Sequence, residues 1–226
     1  MPKVTPNPPI RLAVLLSGAG RTLSNFLELI DQRFLSASVE VVITSNPRAG
    51  GLEIARRTSI PYHIIERVGK PQAEFDRRVT ASLDRHAFDL ILMCGWICFW
   101  TIPEKYAGRV MNIHPALLPA FGGKGMFGKA VHEAVLAAGV KLSGCTVHFA
   151  DNQYDTGPII VQRACPVFEN DTPDTLAARV FAQECIAYPS AVRLFAQKRL
   201  KIDGRRVRIT SDLSETRDAF VMDEED

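Results

Sequence analysis

A mostly parallel α/β sheet with helices on both faces, finishing in antiparallel strands, is the fold class that this sequence predicts. Two observations point to it. Between Ile10 and Gly95, short apolar runs alternate with amphipathic stretches, which is the signature of βαβ units on a parallel sheet. After Asn112 two apolar runs follow one another with only a turn between them, a pattern that suits antiparallel pairing. The 226 residues are expected to form one large domain over 10–210, with a flexible lead at 1–9 and a tail at 211–226.

The elements follow in order. "IRLAVLLSG" (Ile10–Gly18) is a continuous apolar run ending in glycine, as expected of a strand buried on both faces. In "TLSNFLELI" Leu23, Phe26, Leu27 and Ile30 recur at helical spacing. "VEVVITS" reads as a second strand, "GGLEIARRTSI" as a helix and "PYHIIE" as a third strand. A charged amphipathic helix over 72–86 leads to the strand "FDLILMCG". The first half is therefore Rossmann-like. Beyond it, a glycine-rich loop, "AFGGKGMFGK", precedes a helix near Val131–Ala138. "KLSGCTVHFA" and "GPIIVQRACPVF" read as two strands joined by a short turn. Thr172 and Pro173 suit the cap and first position of a helix. That helix is expected to end or kink at Pro189. "LKIDGRRVRI" reads as a hairpin.

Composition narrows the function. With 46% hydrophobic and 23% charged residues the chain falls among ordinary globular proteins. A formal net charge of +2 is too small to argue for a nucleic-acid or membrane partner, and neither is expected. The basic run "KRLKIDGRRVR" lacks interleaved aromatics and reads as a solvated hairpin. The five cysteines are odd in number and sit in apolar stretches, so reduced thiols and a cytoplasmic location are expected. Cys94 and Cys98 have no matching second pair and no two histidines have metal-ligand spacing, so no metal is expected.

Three segments carry candidate chemistry. In "LLSGAGRTLSNF", Gly18 and Gly20 lie where the first strand turns into the first helix, and free N–H groups there suit an anion. The third glycine of a dinucleotide fingerprint and the lysine of a nucleotide-binding loop are both missing, so one phosphate is the expected ligand. Arg21 and Thr22 would add a charge and a hydroxyl. In "RVMNIHPALLP", strand alternation puts Asn112 and His114 on one face with Ile113 opposite, and Pro115 ends the strand. Ligands of open parallel sheets bind outside the carboxyl ends of the strands. In "DNQYDTGPIIVQ", Asp155 opens a turn before an apolar strand, and a carboxylate near His114 would favour the protonated imidazole. Spacing does not settle whether they meet. The other histidines, His63, His86, His132 and His148, carry no such signal.

Taken together, "SGAGRTL", "AGRVMNIHPALLP", "GCTVHF" with "DTGPII", and "QECIAYP" resemble the folate-dependent formyltransferases, in order over roughly residues 10–200. Within that family the early glycine loop resembles the branch acting on a glycinamide ribonucleotide. The resemblance implies a one-carbon transferase of purine biosynthesis. It would move a formyl group from 10-formyltetrahydrofolate to the glycinamide amine through a tetrahedral intermediate. It implies Asn112, His114 and Asp155 as catalytic residues, and Gly20, Arg21, Thr22 and Glu184 as the ribonucleotide site. The reduced folate would lie along Ile97, Cys98, Phe99 and Trp100 and the loop of Asp151, Asn152, Gln153, Tyr154 and Asp155, with Asn112 beside it.

This chain departs from the family in two places. "WICFW" stands where "FMRIL" is common, so Cys98 replaces an arginine, and the loop after Pro119 is several residues longer. That loop is expected to move as a lid, with Lys124 and Lys129 placed for a folate tail. A monomer or homodimer is expected. The alternatives are a formyltetrahydrofolate hydrolase, which usually carries an extra N-terminal domain, and a methionyl-tRNA formyltransferase, which usually carries an extra C-terminal one. A non-catalytic binding domain on the same scaffold is the reading from another class.

Overall fold

The computed structural model describes residues 8–210; the expected tail and most of the lead fall outside them. A nine-stranded sheet runs through the described residues in the order β3-β2-β1-β4-β5-β6-β7-β9-β8. Strands β1 (Ile10–Leu16), β2 (Ala37–Thr44), β3 (Tyr62–Ile64), β4 (Leu90–Met93) and β5 (Val110–His114) pair in parallel. Strand β6 (Leu142–Phe149) reverses direction against β5, and β7 (Ile159–Pro166) reverses again against β6. The hairpin of β8 (Leu200–Asp203) and β9 (Arg206–Ile209) joins the edge through a parallel contact of β9 with β7. The connection between β6 and β7 is longer than the short turn expected, running from residue 150 to 158.

Helices cover both faces, as apolar runs buried on both sides require. On one face α1 (Arg21–Asp31), α2 (Gly50–Arg57), α4 (Lys129–Ala137) and α5 (Pro173–Ala196) pack over Leu12, Val14, Leu92, Met111 and Val147. On the other, α3 (Gln72–Leu83) lays Phe75, Val79 and Leu83 over Leu15, Ile43 and Ile91. Phe26 of α1 and Tyr188 of α5 meet edge to face, 5.4 Å between ring centroids. Burial of each such ring contributes about 2–3 kcal/mol. The Tyr188 hydroxyl donates to the carbonyls of Met111 at 2.8 Å and Met93 at 3.3 Å. The long helix is thereby tied to the ends of the two strands next to the site.

Helix α5 begins as its sequence predicts. Thr172 caps it, exchanging bonds with Thr175, and Pro173 takes the first position. It does not stop at Pro189. The helix continues to Ala196 with the proline buried inside it. Proline deprives the carbonyl four residues earlier, that of Cys185, of its helical donor. The side-chain amide of Asn25 on α1 donates to that carbonyl at 3.3 Å. A neighbouring helix thus replaces the missing bond, and packing of Ala187, Tyr188, Ala191 and Val192 keeps both halves in register.

Candidate active site

From β1 the chain crosses to β2 and β3 on one side, then returns through α3 to β4 on the other, so the connection order reverses between β1 and β4. A crevice opens at such a point outside the carboxyl ends of the strands. Here it is a cavity of about 680 Å³, lined by Ser17–Thr22 after β1, Cys94–Ile97 after β4, and Asn112 and His114 of β5. A smaller cavity of about 80 Å³ adjoins it between the segment after β4 and the 150–155 loop. Asn112, Asp155, Trp96, Ile97 and Tyr154 line both.

The first rim is made of backbone. Gly20 caps α1 with φ +82°, and a Cβ there would lie 2.7 Å from the Cα of Gly51 on α2. Only glycine allows both the left-handed turn and the close approach. Gly18, by contrast, has nothing within 4 Å of its would-be Cβ. No side chain caps α1, its first turn holds no acid, and Gly20, Arg21 and Thr22 at its start line the cavity. The Arg21 guanidinium lies 4.2 Å above the Phe181 ring, a cation–π contact. Glu184, one turn along α5, lines the same cavity; burial pushes its carboxyl up to about 7, partly opposed by Arg21.

The centre is made of side chains. Asn112 and His114 share a face of β5, as alternation predicts, and His148 and Thr146 of β6 stand directly opposite them. Asp155 approaches from the loop after β6 in a left-handed conformation, φ +56°. Its Oδ2 lies 3.5 Å from His114 Nδ1, and its Oδ1 lies 3.5 Å from Asn112 Nδ2. His114 Nε2 donates to the Phe121 carbonyl at 2.8 Å, which leaves Nδ1 on the carboxylate side. Asp155 Oδ2 also accepts the Gly123 N–H at 2.9 Å. The glycine-rich loop therefore touches two of the three catalytic candidates, His114 and Asp155. Gly157 is required for this arrangement, because a Cβ there would lie 1.7 Å from the Phe149 carbonyl oxygen.

Of the residues expected to hold a folate, Ile97, Cys98, Phe99, Trp100, Asp151, Gln153 and Tyr154 line the smaller cavity. Asn152 lines neither cavity: its amide clasps the backbone of Ile102, accepting at 2.7 Å and donating at 3.2 Å. Lys124 lines the large cavity, whereas Lys129 opens α4 outside it. Sequence reading missed three residues. His148 is buried and hydrogen-bonded to Asn112. His132 is buried inside α4, lines the cavity, and its charged form is disfavoured by burial and by Arg21 and His114. Phe181 supports Arg21. The β5–β6 register would have signalled the first; periodicity along single segments does not contain it.

Among the described residues no group of three or more His, Cys, Asp or Glu is arranged to hold a metal ion. No helix among them is long and apolar enough to cross a membrane.

Comparison with known proteins bears on this geometry. The profile of the family described as formyl transferase matches residues 10–192. The chloroplastic phosphoribosylglycinamide formyltransferase of Vigna unguiculata is 36% identical over 84% of this chain, which spans 62% of that relative's length. The phosphoribosylglycinamide formyltransferase of Escherichia coli (strain K12) is 32% identical, over 88% of this chain and 96% of the relative. The crystal structure of glycinamide ribonucleotide transformylase 1 from Symbiobacterium toebii superimposes with a TM-score of 0.83 at 39% identity, over 90% of this chain and 95% of that one. With a family profile matched over most of its length and a shared fold, this chain belongs to the formyl transferase family.

Proposed function

We propose that the chain transfers a formyl group from 10-formyltetrahydrofolate to the amine of glycinamide ribonucleotide. The observation that carries this reading is the convergence of Asn112, His114 and Asp155 on the large cavity, with Asn112 and Asp155 lining the smaller one as well. One cavity offers a helix N-terminus and a guanidinium, which suit a phosphate; the other is a slot lined by aromatic rings, which suits a flat pterin.

In this reading Gly20, Arg21 and Thr22 hold the phosphate, and Glu184 accepts from the ribose hydroxyls. The segment Ile97–Trp100 and the loop 151–155 hold the reduced folate. The substrate amine attacks the formyl carbon, and the carbonyl oxygen becomes an oxyanion. The Asn112 amide and the protonated His114 Nδ1 donate to it. Asp155 draws the proton from the attacking nitrogen through water, and His114 returns a proton to the folate nitrogen as the bond to carbon breaks. Formylated ribonucleotide and tetrahydrofolate leave. Neither a metal nor a covalent enzyme intermediate enters the scheme. A cytoplasmic location accords with the five free cysteines, three of them buried.

A coupled assay that follows tetrahydrofolate release tests the proposal. Turnover should require glycinamide ribonucleotide and fall sharply with the acceptor lacking its phosphate. Turnover without acceptor, unchanged when acceptor is added, would identify a hydrolase instead.

A further inference from the structure

We propose that His148 is a positioning residue: its unprotonated Nε2 holds the Asn112 side chain with the amide nitrogen facing the junction of the two cavities. The inference rests on the formyl-transfer reading above and assigns a residue which that reading does not use.

Asn112 and His148 are direct cross-strand partners in the β5–β6 ladder, so their side chains rise together from one face. His148 Nδ1 lies 3.0 Å from the Phe149 carbonyl oxygen. A carbonyl can only accept, so the proton of a neutral ring sits on Nδ1, and Nε2 presents a lone pair. Asn112 Nδ2 lies 3.2 Å from His148 Nε2 and 3.5 Å from Asp155 Oδ1.

Turning the amide over would aim its oxygen at two other acceptors, the His148 lone pair and the Asp155 carboxylate. Both contacts would be repulsive, whereas the observed orientation makes both attractive. An amide has two N–H donors. One is held by His148, and the second points towards Asp155 along a contact too long to be a strong bond, leaving it for an oxygen at the junction. The device depends on a neutral ring. Burial supports this by disfavouring the charged form of His148, with His114 acting in the same direction against Asp155 and the Phe149 carbonyl. His148 is 2% exposed and lines only the smaller of the two cavities, so its effect passes through Asn112.

The first test leaves the protein intact. Nitrogen NMR of the imidazoles in the wild-type enzyme at pH 7 should find His148 protonated at Nδ1 and bare at Nε2. Protonation at Nε2 would overturn the proposal.

The second is a double-mutant cycle. Wild-type turnover is measured first; its absence would sink the proposed function, and the inference with it. Given turnover, His148→Ala should lower kcat about 10–100-fold, the range seen when a supporting residue stops orienting a reacting group. KM for both substrates should stay within about two-fold. In an Asn112→Ala background the same change should cost less than about two-fold, because nothing remains to be oriented. An equal loss in both backgrounds, or a loss confined to KM, would overturn the proposal. Should His148→Ala fail to fold, His148→Gln supplies an acceptor at nearly the same reach and should recover kcat to within about five-fold of wild type. A folded Gln variant with kcat reduced more than about ten-fold would refute orientation by an acceptor.

Discussion

The two parts of the cavity are built by different means. The rim that suits the phosphate is backbone: a left-handed glycine, a close helix–helix approach and the uncapped first turn of α1. The centre is side chains, two from β5, one from β6 and one from the following loop, held by bonds among themselves. A backbone site cannot be deleted by one side-chain truncation, but it fails if a glycine is filled. A side-chain site is the reverse. Each atom there can be removed singly, and its neighbours lose orientation when it goes.

The largest expected effect tests the centre. His114→Ala removes the group proposed as both donor and acid, and kcat should fall about 10³-fold with KM for either substrate changed by less than about three-fold. Steady-state kinetics against each substrate would check it, and near-normal turnover would refute the role. Asp155→Asn keeps the acceptor for the Gly123 N–H but loses the negative charge. It should cost less, about 10²-fold in kcat, and the pH–rate profile should change shape.

Filling a glycine tests the rim. Gly20→Ala meets both a left-handed φ and the Gly51 backbone, and should destabilise the fold by about 2–4 kcal/mol. Thermal denaturation should register a drop of roughly 5–15 °C for a domain of this size. Gly18→Ala meets nothing, so stability should move by less than about 0.5 kcal/mol. Equal losses in the two variants would mean that the rim is not held by the Gly20–Gly51 approach. Arg21→Ala, which leaves the backbone in place, should raise KM for the ribonucleotide about ten-fold and leave kcat nearly unchanged. A loss in kcat alone would move Arg21 from the rim to the centre.

The same contrast explains what could be read in the sequence. Parallel strands and the first βα turn are local patterns, so β1 to β5, the glycine loop and the shared face of Asn112 and His114 were all legible. Asp155 was legible as the opening of a turn, and the formyl-transfer resemblance linked it to His114, a distance that no spacing could give. Non-local partners account for the rest. Proline rules end α5 at Pro189, yet Asn25, distant in sequence, satisfies the freed carbonyl. His148 looks like an ordinary strand histidine until β6 is registered against β5. Asn152 lies in the loop expected to hold a folate, but its amide is spent on the Ile102 backbone.

Glu184 supplies the finest test, because it lies on the rim but is a side chain. Burial disfavours the anion and pushes its carboxyl up from an ordinary 4.5 to about 7 in the folded protein. A raised pKa means that the folded state holds a proton which the unfolded state has released. Stability from this group is therefore complete below pH 4.5 and is lost as pH rises through about 7. Glu184→Gln should be neutral near pH 4.5 and stabilising by about 1–3 kcal/mol at pH 8, measured by denaturant titration at both values. An unchanged difference between the two pH values would show that the carboxyl is not strained by burial. The same variant should raise KM for the ribonucleotide, since an amide accepts ribose hydroxyls less well than a carboxylate. Gain in stability with loss in binding would identify Glu184 as a group kept for its ligand at the expense of the empty fold.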